Sequence, residues 1–178
     1  TAAAILGWLL IEKIRYGKAT SLGAASGIVA GLVAITPACA SVSPLGALAI
    51  GVLAGALSAY AVGWKYKLGY DDSFDVVGVH LVAGLWGTLA IGLFARYDDA
   101  FLGREDAGLF YGGGFDQLLV QAIGVVVVAV WVLGTSAILF KVLKSTVGLR
   151  VSAEEELAGL DVAEHGSPGY GPEPVLVG

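Results

Sequence analysis

The feature that most constrains this chain is a run of 46 consecutive residues, 19–64, without a single charged side chain. At about 1.5 Å of rise per residue, a hydrocarbon core of about 30 Å needs about 20 helical residues, so the run fits two membrane spans and a turn. Pro37 and Pro44 lie near its middle among small polar residues and predict the break between the spans. The run therefore predicts spans near 21–36 and 45–64.

Three more apolar segments extend this pattern. Residues 1–12 are too short for a span and look like the last half of a helix, which we expect to end at the charges that begin with Glu12. The chain has no methionine, even at position 1, so we expect it to be a portion of a longer protein. Residues 76–95 and 117–140 are each long enough to cross a bilayer, and the second is long enough to tilt.

Composition supports the membrane class. Hydrophobic residues make up 57% of the chain and charged residues only 14%, whereas about a quarter of an ordinary soluble domain is charged. We therefore predict an all-α, polytopic membrane helical bundle with about four full spans plus a half span in residues 1–145, followed by a tail in residues 146–178.

The sequence shows no signature of catalysis or of a bound group. A single cysteine excludes an internal disulfide framework and a multi-cysteine metal site. Neither a phosphate-binding loop nor a nucleophile paired with a base is present. The sequence thus indicates neither an enzyme, nor a cofactor or metal, nor a nucleic-acid partner.

The basic residues indicate the orientation of the spans. They fall in the connections on one side, with two exceptions on the other. The first group comprises Lys13, Arg15, Lys18, Lys65, Lys67, Lys141, Lys144 and Arg150, and the exceptions are Arg96 and Arg104. By the positive-inside rule, the C-terminal tail is predicted to be cytoplasmic. Lys65 and Lys67 are expected among the lipid headgroups.

One ionisable side chain, His80, lies inside a predicted span, in its cytoplasmic half. Ionisable groups at that depth usually face a bundle interior or a conduction path, which favours a transport site. A neutral imidazole keeps one donor and one acceptor nitrogen and can guide a small polar solute or a proton. The alternative, a ring hydrogen-bonded to a neighbouring helix for structure alone, stays open. Asp75 is expected to cap the helix start, in preference to a direct role in catalysis.

Glycines recur at intervals of four residues in the first two full spans. Gly23, Gly27 and Gly31 form one such stripe, and Gly51 and Gly55 form another. Small residues at this spacing allow helices to approach closely in lipid. We predict that both stripes pack against other helices; a pore-lining role is the alternative.

Three ordered motifs resemble the ammonium transporter (Amt/MEP/Rh) family. The first, which resembles the penultimate helix of the family, is Asp75-Val-Val-Gly-Val-His80 with Gly84-Leu-Trp-Gly87 and Gly92-Leu-Phe-Ala95. The second, which resembles an earlier helix, is Ala24-Ala25-Ser26-Gly27 with Ala30-Gly31-Leu32-Val33 and Thr36-Pro37-Ala38-Cys39. The third, which is similar to the cytoplasmic tail, contains Gly148, Arg150, Glu155, Gly159, Asp161, His165, Gly166 and Tyr170.

The resemblance implies an eleven-helix, homotrimeric transporter of the cell membrane with a pore through each subunit. This chain would carry the end of helix seven through helix eleven and the tail. In the family, ammonium loses its proton and crosses as ammonia through a hydrophobic pore lined by a pair of histidines. His80 matches the second of the pair, and Val76, one turn earlier, would line the pore wall. The partner histidine and the outer recruitment site are expected upstream.

The chain departs from the family pattern at two positions after His80. Leu81 stands where the family commonly has glycine, and Ala83 stands where another small residue is usual. Leu81 could therefore alter the approach of a neighbouring helix.

For the tail, the resemblance implies regulatory coupling between subunits and docking of PII-type nitrogen-signalling proteins on the cytoplasmic face. The alternative is a solvated acidic segment. Two functions follow for the whole protein. The first is transport of ammonium or ammonia, with methylammonium as an analogue; the second is an ammonium sensor on the same fold that signals through the tail.

Overall fold

The computed structural model describes residues 1–96 and 107–170, and the regular structure in these residues is helical. The connection between the predicted spans at 76–95 and 117–140 therefore lies partly outside the described residues, as does the end of the tail. The helices are α1 (Ala2–Tyr16), α2 (Ser21–Ile35), α3 (Pro44–Ala61), α4 (Trp64–Leu68), a π-helical turn (Val76–Leu81) that continues into α5 (Val82–Phe94), a 3-10 turn (Leu109–Tyr111), α6 (Asp116–Thr146), α7 (Ala153–Ala158) and α8 (Leu160–His165). The predicted all-α class is confirmed.

Within the described part of the chain, three helical stretches are long and apolar enough to cross a membrane. They are Pro44–Leu68, Val76–Phe94 and Asp116–Thr146. Helix α2, at 15 residues, is apolar but shorter. The chain divides into two compact units, Thr1–Ala129 and Val130–Gly178, and α6 begins in the first and ends in the second.

The sequence led us to expect that helix α1 ends at the charges that begin with Glu12, but the helix extends past Glu12. It continues to Tyr16 and ends on Gly17, which has a left-handed backbone (φ 77°) and donates its N–H to the carbonyl of Lys13. Glu12, inside the helix, accepts hydrogen bonds from the backbone N–H of Thr20 (2.8 Å) and from the indole of Trp8 (3.2 Å). The charges thus mark the border of the apolar segment, whereas a glycine ends the helix.

The predicted break within the long uncharged run is present. Helix α2 ends at Ile35, and α3 begins at Pro44. Proline suits the first turn of a helix, because the backbone N–H groups there have no partner within the helix. The Ser43 hydroxyl caps α3 by accepting a hydrogen bond from the Gly46 N–H at 3.1 Å.

The glycine stripes bring helix backbones into contact. A Cβ atom on Gly31 would lie 2.7 Å from the Cβ of Ala4, and one on Gly55 would lie 2.9 Å from the backbone nitrogen of Trp8. Gly7 of α1 lies in the same way against the backbone of Val52 in α3. Helices α1, α2 and α3 therefore pack with almost no side-chain layer between them, and the packing prediction is confirmed.

Helix α5 packs on α2 and α3 through the Gly84-Leu-Trp-Gly87 motif. The indole of Trp86 donates a hydrogen bond to the carbonyl of Ile50 in α3 at 2.9 Å. A Cβ atom on Gly87 would lie 2.7 Å from the Cα of Ala34 in α2. These contacts fix the helix that continues from the π-helical turn.

The two ends of the first unit are distinct. At one end, the guanidinium of Arg15 lies 4.8 Å from the ring centre of Tyr60, which joins the end of α1 to the end of α3. At the other end, Val42 and Ala95 form an isolated antiparallel bridge, and the Arg96 N–H donates to the carbonyl of Ser41 at 2.8 Å. The basic connections after α1 and α3 therefore lie at the same end.

Candidate pore site

The candidate site is the wide helical turn Val76–Leu81, which precedes α5. The backbone N–H of Val82 donates to the carbonyls of Val77, five residues earlier, and Val79, three residues earlier, instead of to the carbonyl four residues earlier that an α-helix would use. Such π-type turns accommodate an extra residue in a helix and are frequent at functional sites. His80 lies within this turn.

One face of the turn is packed and another is open. Gly78 and Val79 are buried, and a Cβ atom on Gly78 would lie 2.6 Å from Cγ1 of Val62, the residue that follows α3. His80 is exposed on the first unit, as is Val76, whose exposed fraction is 51%. Within residues 1–96 and 107–170, the imidazole makes no hydrogen bond. The two predicted pore residues thus share the unpacked side of the turn.

Leu81, the residue that departs from the family pattern, is also 52% exposed. The turn approaches the end of α3 closely at Gly78 instead, a residue that has no side chain beyond a hydrogen atom. Ala83 is buried in the core. The bulk of Leu81 therefore does not push α3 away from the turn.

The start of the turn corrects the prediction that the Asp75 side chain caps the helix. Asp75 occupies the N-cap position with a left-handed backbone (φ 57°), but its side chain makes no capping hydrogen bond. The Asp72 carboxylate does so instead, accepting hydrogen bonds from the N–H groups of Val76 (2.7 Å) and Val77 (2.9 Å). Asp75 is left to form an ion pair.

That ion pair joins the turn to α4. The Lys65 ammonium lies 2.7 Å from Oδ1 of Asp75 and also donates to the backbone carbonyl of Asp72 at 2.9 Å. Only 16% of the Lys65 side chain is exposed, and its ammonium is held by the residues that precede the turn. Sequence reasoning missed both Lys65 and Asp72. An aspartate just before an apolar helical run is a recognised capping signal, but nothing local links Lys65 to residues 72–75.

The predicted tail residues lie in the second unit, where three glycines shape the chain. Gly148, Gly159 and Gly166 have φ values of 83°, 91° and 71°, a region that favours glycine. They follow α6, separate α7 from α8, and end α8, respectively. His165 is the last residue of α8, and Tyr170 is 90% exposed.

The charged tail residues stabilise local turns. Arg150 pairs with Glu156, and the Asp161 carboxylate accepts a hydrogen bond from the Gly169 N–H at 3.0 Å. Glu155 and Ser152 form a reciprocal capping box at the start of α7, in which hydrogen bonds from the Ser152 hydroxyl and N–H lower the pKa of Glu155. The Ser-x-x-Glu spacing of residues 152–155 is a sequence signal for this helix start.

Comparison with known proteins identifies the family. The family model described as "Ammonium Transporter Family" matches residues 1–170. An "Ammonium transporter" of Mycobacterium tuberculosis is 60% identical over 173 residues, which cover 96% of this chain and 36% of that protein. An "Ammonium transporter" of Bacillus subtilis is 41% identical over 172 residues, covering 95% of this chain and 41% of that protein.

Solved structures agree with the sequence comparison. Saccharomyces cerevisiae Mep2 superposes with a TM-score of 0.80 at 36% identity, covering 98% of this chain and 41% of the yeast protein. A structure described as "Sensor Amt Protein" gives a TM-score of 0.79 at 35% identity, covering 92% of this chain and 39% of that one. The chain spans about two fifths or less of the length of these relatives. Together with its membrane-length helices, these matches show that the chain belongs to the ammonium transporter family and forms part of a multi-pass membrane protein.

Proposed function

We propose that this chain forms part of an ammonium transporter. In this proposal His80 is one member of a histidine pair that lines the pore, and Val76 lines the pore wall beside it. The observation that carries the proposal is the exposure of His80 on the unpacked side of an apolar, membrane-length helix. An imidazole there can accept and donate hydrogen bonds to a solute that passes between this helix and another wall of the pore.

Simple electrostatics favours ammonia as the species that crosses. A bare ammonium ion in a dry, apolar pore would have a desolvation cost of tens of kcal/mol by the Born estimate, whereas neutral ammonia needs only a few hydrogen bonds. Loss of the proton before entry is therefore the lower-energy route. The same step excludes potassium, which has no proton to lose.

The test of the transport function is His80→Ala in the complete protein, reconstituted into proteoliposomes. We expect methylammonium uptake to fall by about a hundredfold or more, the range found for removal of a positioned proton-transfer group. Val130→Ala, an exposed apolar position on α6, serves as the control and is expected to transport normally. Unchanged uptake in His80→Ala would contradict the assigned role.

The proposed orientation of the chain in the membrane follows from the position of the basic residues at one end of the first unit. The lysine- and arginine-bearing connections after α1 and α3 lie at one end, which supports a cytoplasmic location for that end in the cell membrane. In this arrangement residues 1–145 form the membrane region and 146–178 a cytoplasmic tail. Trimerisation, lipid contacts, and docking of a PII-type protein remain proposals that rest on the family resemblance.

A second function, ammonium sensing, is favoured by the similarity to the structure described as "Sensor Amt Protein". In a sensor, occupancy of the pore would be reported through the tail, whose capping box and glycine turns form a defined local structure. Removal of residues 148–178 distinguishes the two functions.

A further inference from the structure

We infer that Lys65 is a positioning residue of the conduction path, because it holds the wide turn that presents His80. The inference rests on the proposed function of His80 and adds a residue outside the pore wall. It follows from two separate contacts: Val62, the residue after α3, lies against Gly78 in the turn, and Lys65 of α4 holds the loop that precedes the turn.

The direction in which His80 points depends on the width of this turn. An α-helix advances about 100° per residue, so conversion of a π-type turn to an α-turn would rotate the residues on one side of it by about that angle. Relative to α5, Val76 would rotate most and His80 less, so their shared orientation on the unpacked side would change. The wide turn must be held for the two side chains to keep their present arrangement.

The first point of contact lies in the middle of the turn. Gly78 lies so close to Val62, the residue that follows α3, that a Cβ atom would come within 2.8 Å of the Val62 nitrogen. This contact fixes the distance between the turn and α3. It does not reach Val76, the exposed first residue of the turn.

The second point of contact is Lys65, three residues after Val62. Its ammonium joins the Asp75 carboxylate (2.7 Å) to the Asp72 carbonyl (2.9 Å), so a single side chain holds both ends of a four-residue loop. The Asp72 carboxylate, held within that loop, accepts the hydrogen bonds of Val76 and Val77. The Asp75 carbonyl in turn accepts a hydrogen bond from Val79 at 2.7 Å.

The backbone of Asp75 shows why the loop needs this support. Among the described residues, Asp75 is the one non-glycine residue with a positive φ. Such conformations persist where the surroundings over-determine them. Lys65 supplies that determination through a charge-assisted hydrogen bond, a strong contact in a half-buried setting.

The experiment compares Lys65→Met with Lys67→Met in the complete protein. Methionine keeps the length and apolar stem of lysine but removes its charge and donors. Lys67 lies in the same short helix with an exposed side chain and is the matched control. Two quantities are measured: methylammonium uptake in proteoliposomes, and the imidazole NMR signal of His80, which is assigned by its loss in His80→Gln.

We expect Lys65→Met to lower uptake about tenfold, equivalent to ~1.4 kcal/mol on the transport barrier, and to shift the His80 signal. Lys67→Met should leave both unchanged. Equal behaviour of the two variants would overturn the inference, as would lower uptake with an unshifted His80 signal. If Lys65→Met does not yield folded protein, Lys65→Gln decides by the same two measurements.

The His80 signal also separates this inference from the proposed function. If His80→Ala transports normally, the pore assignment is wrong, yet the NMR signal still reports whether Lys65 sets the position of His80. If His80→Ala abolishes uptake and Lys65→Met changes neither quantity, only the positioning role is wrong.

Discussion

Two aspartates three positions apart have different tasks at the start of the wide turn. Asp72 supplies the capping carboxylate, and Asp75 supplies a left-handed backbone and one half of an ion pair. Their side chains are identical, so their different contacts result from the backbone conformation at each position. An aspartate before an apolar helix therefore predicted a capping carboxylate. The left-handed backbone at Asp75 determined that Asp72, and not Asp75, supplies it.

Glu155 provides a residue-scale prediction in the tail. Hydrogen bonds from Ser152 lower the pKa of Glu155 from its usual value of 4.5, so the ionised form stabilises the folded α7. That contribution is present above the usual pKa and is lost as the pH falls through the lowered value. We expect the helical chemical shifts of α7 to decline below about pH 4.5 in an NMR titration.

The control for this titration is Glu155→Gln. Glutamine can still accept from the Ser152 N–H and close the capping box, but it does not ionise. Its α7 signals should therefore lose the acid-dependent step that this residue causes. An identical acid transition in both proteins would show that another group governs it.

At the scale of helices, glycine spacing determines how closely α1, α2 and α3 approach. The contacts at Gly7, Gly31 and Gly55 are backbone against backbone, or backbone against an alanine methyl. In lipid, where apolar side chains gain little by leaving the surrounding medium, such close packing is a principal source of helix association. A single methyl group at these positions has no space.

This geometry predicts different outcomes for two similar substitutions. Gly55→Ala would place its methyl group against the backbone of α1, and overpacking of this kind costs about 1–3 kcal/mol. Gly124→Ala adds the same methyl to α6, where no atom beyond the neighbouring backbone of the helix itself lies within 4 Å. Thermal unfolding in detergent should therefore show a lower midpoint for Gly55→Ala and an unchanged or higher midpoint for Gly124→Ala. Equal midpoints would contradict the packing account.

At the scale of the whole molecule, the question is whether the tail serves signalling. Deletion of residues 148–178 from the complete protein should abolish signalling in a sensor while leaving ammonium occupancy of the pore intact. Signalling can be followed with an ammonium-responsive reporter, and occupancy by methylammonium binding. A deletion that alters only the flux would instead support transport alone.

Much of the fold was predictable from the distribution of charge, because uncharged stretches of about 20 residues have few alternatives to membrane helices. The break at Pro44 was predictable for the same kind of reason, since proline suits the first turn of a helix. The turn at His80 was not, because hydropathy does not reveal whether a helical turn is α or π. Lys65 could not be assigned to the site because its partner, Asp75, is brought near by a chain reversal.

Helix α6 has a further consequence for the protein in its membrane. Its 31 residues extend about 46 Å, against about 30 Å for a hydrocarbon core, and its apolar side chains are widely exposed. A helix of this length responds to hydrophobic mismatch by tilting or by emerging from the bilayer. We therefore expect the acyl-chain length of the surrounding lipids to set how far its last turn, with Lys144, emerges from the hydrocarbon core.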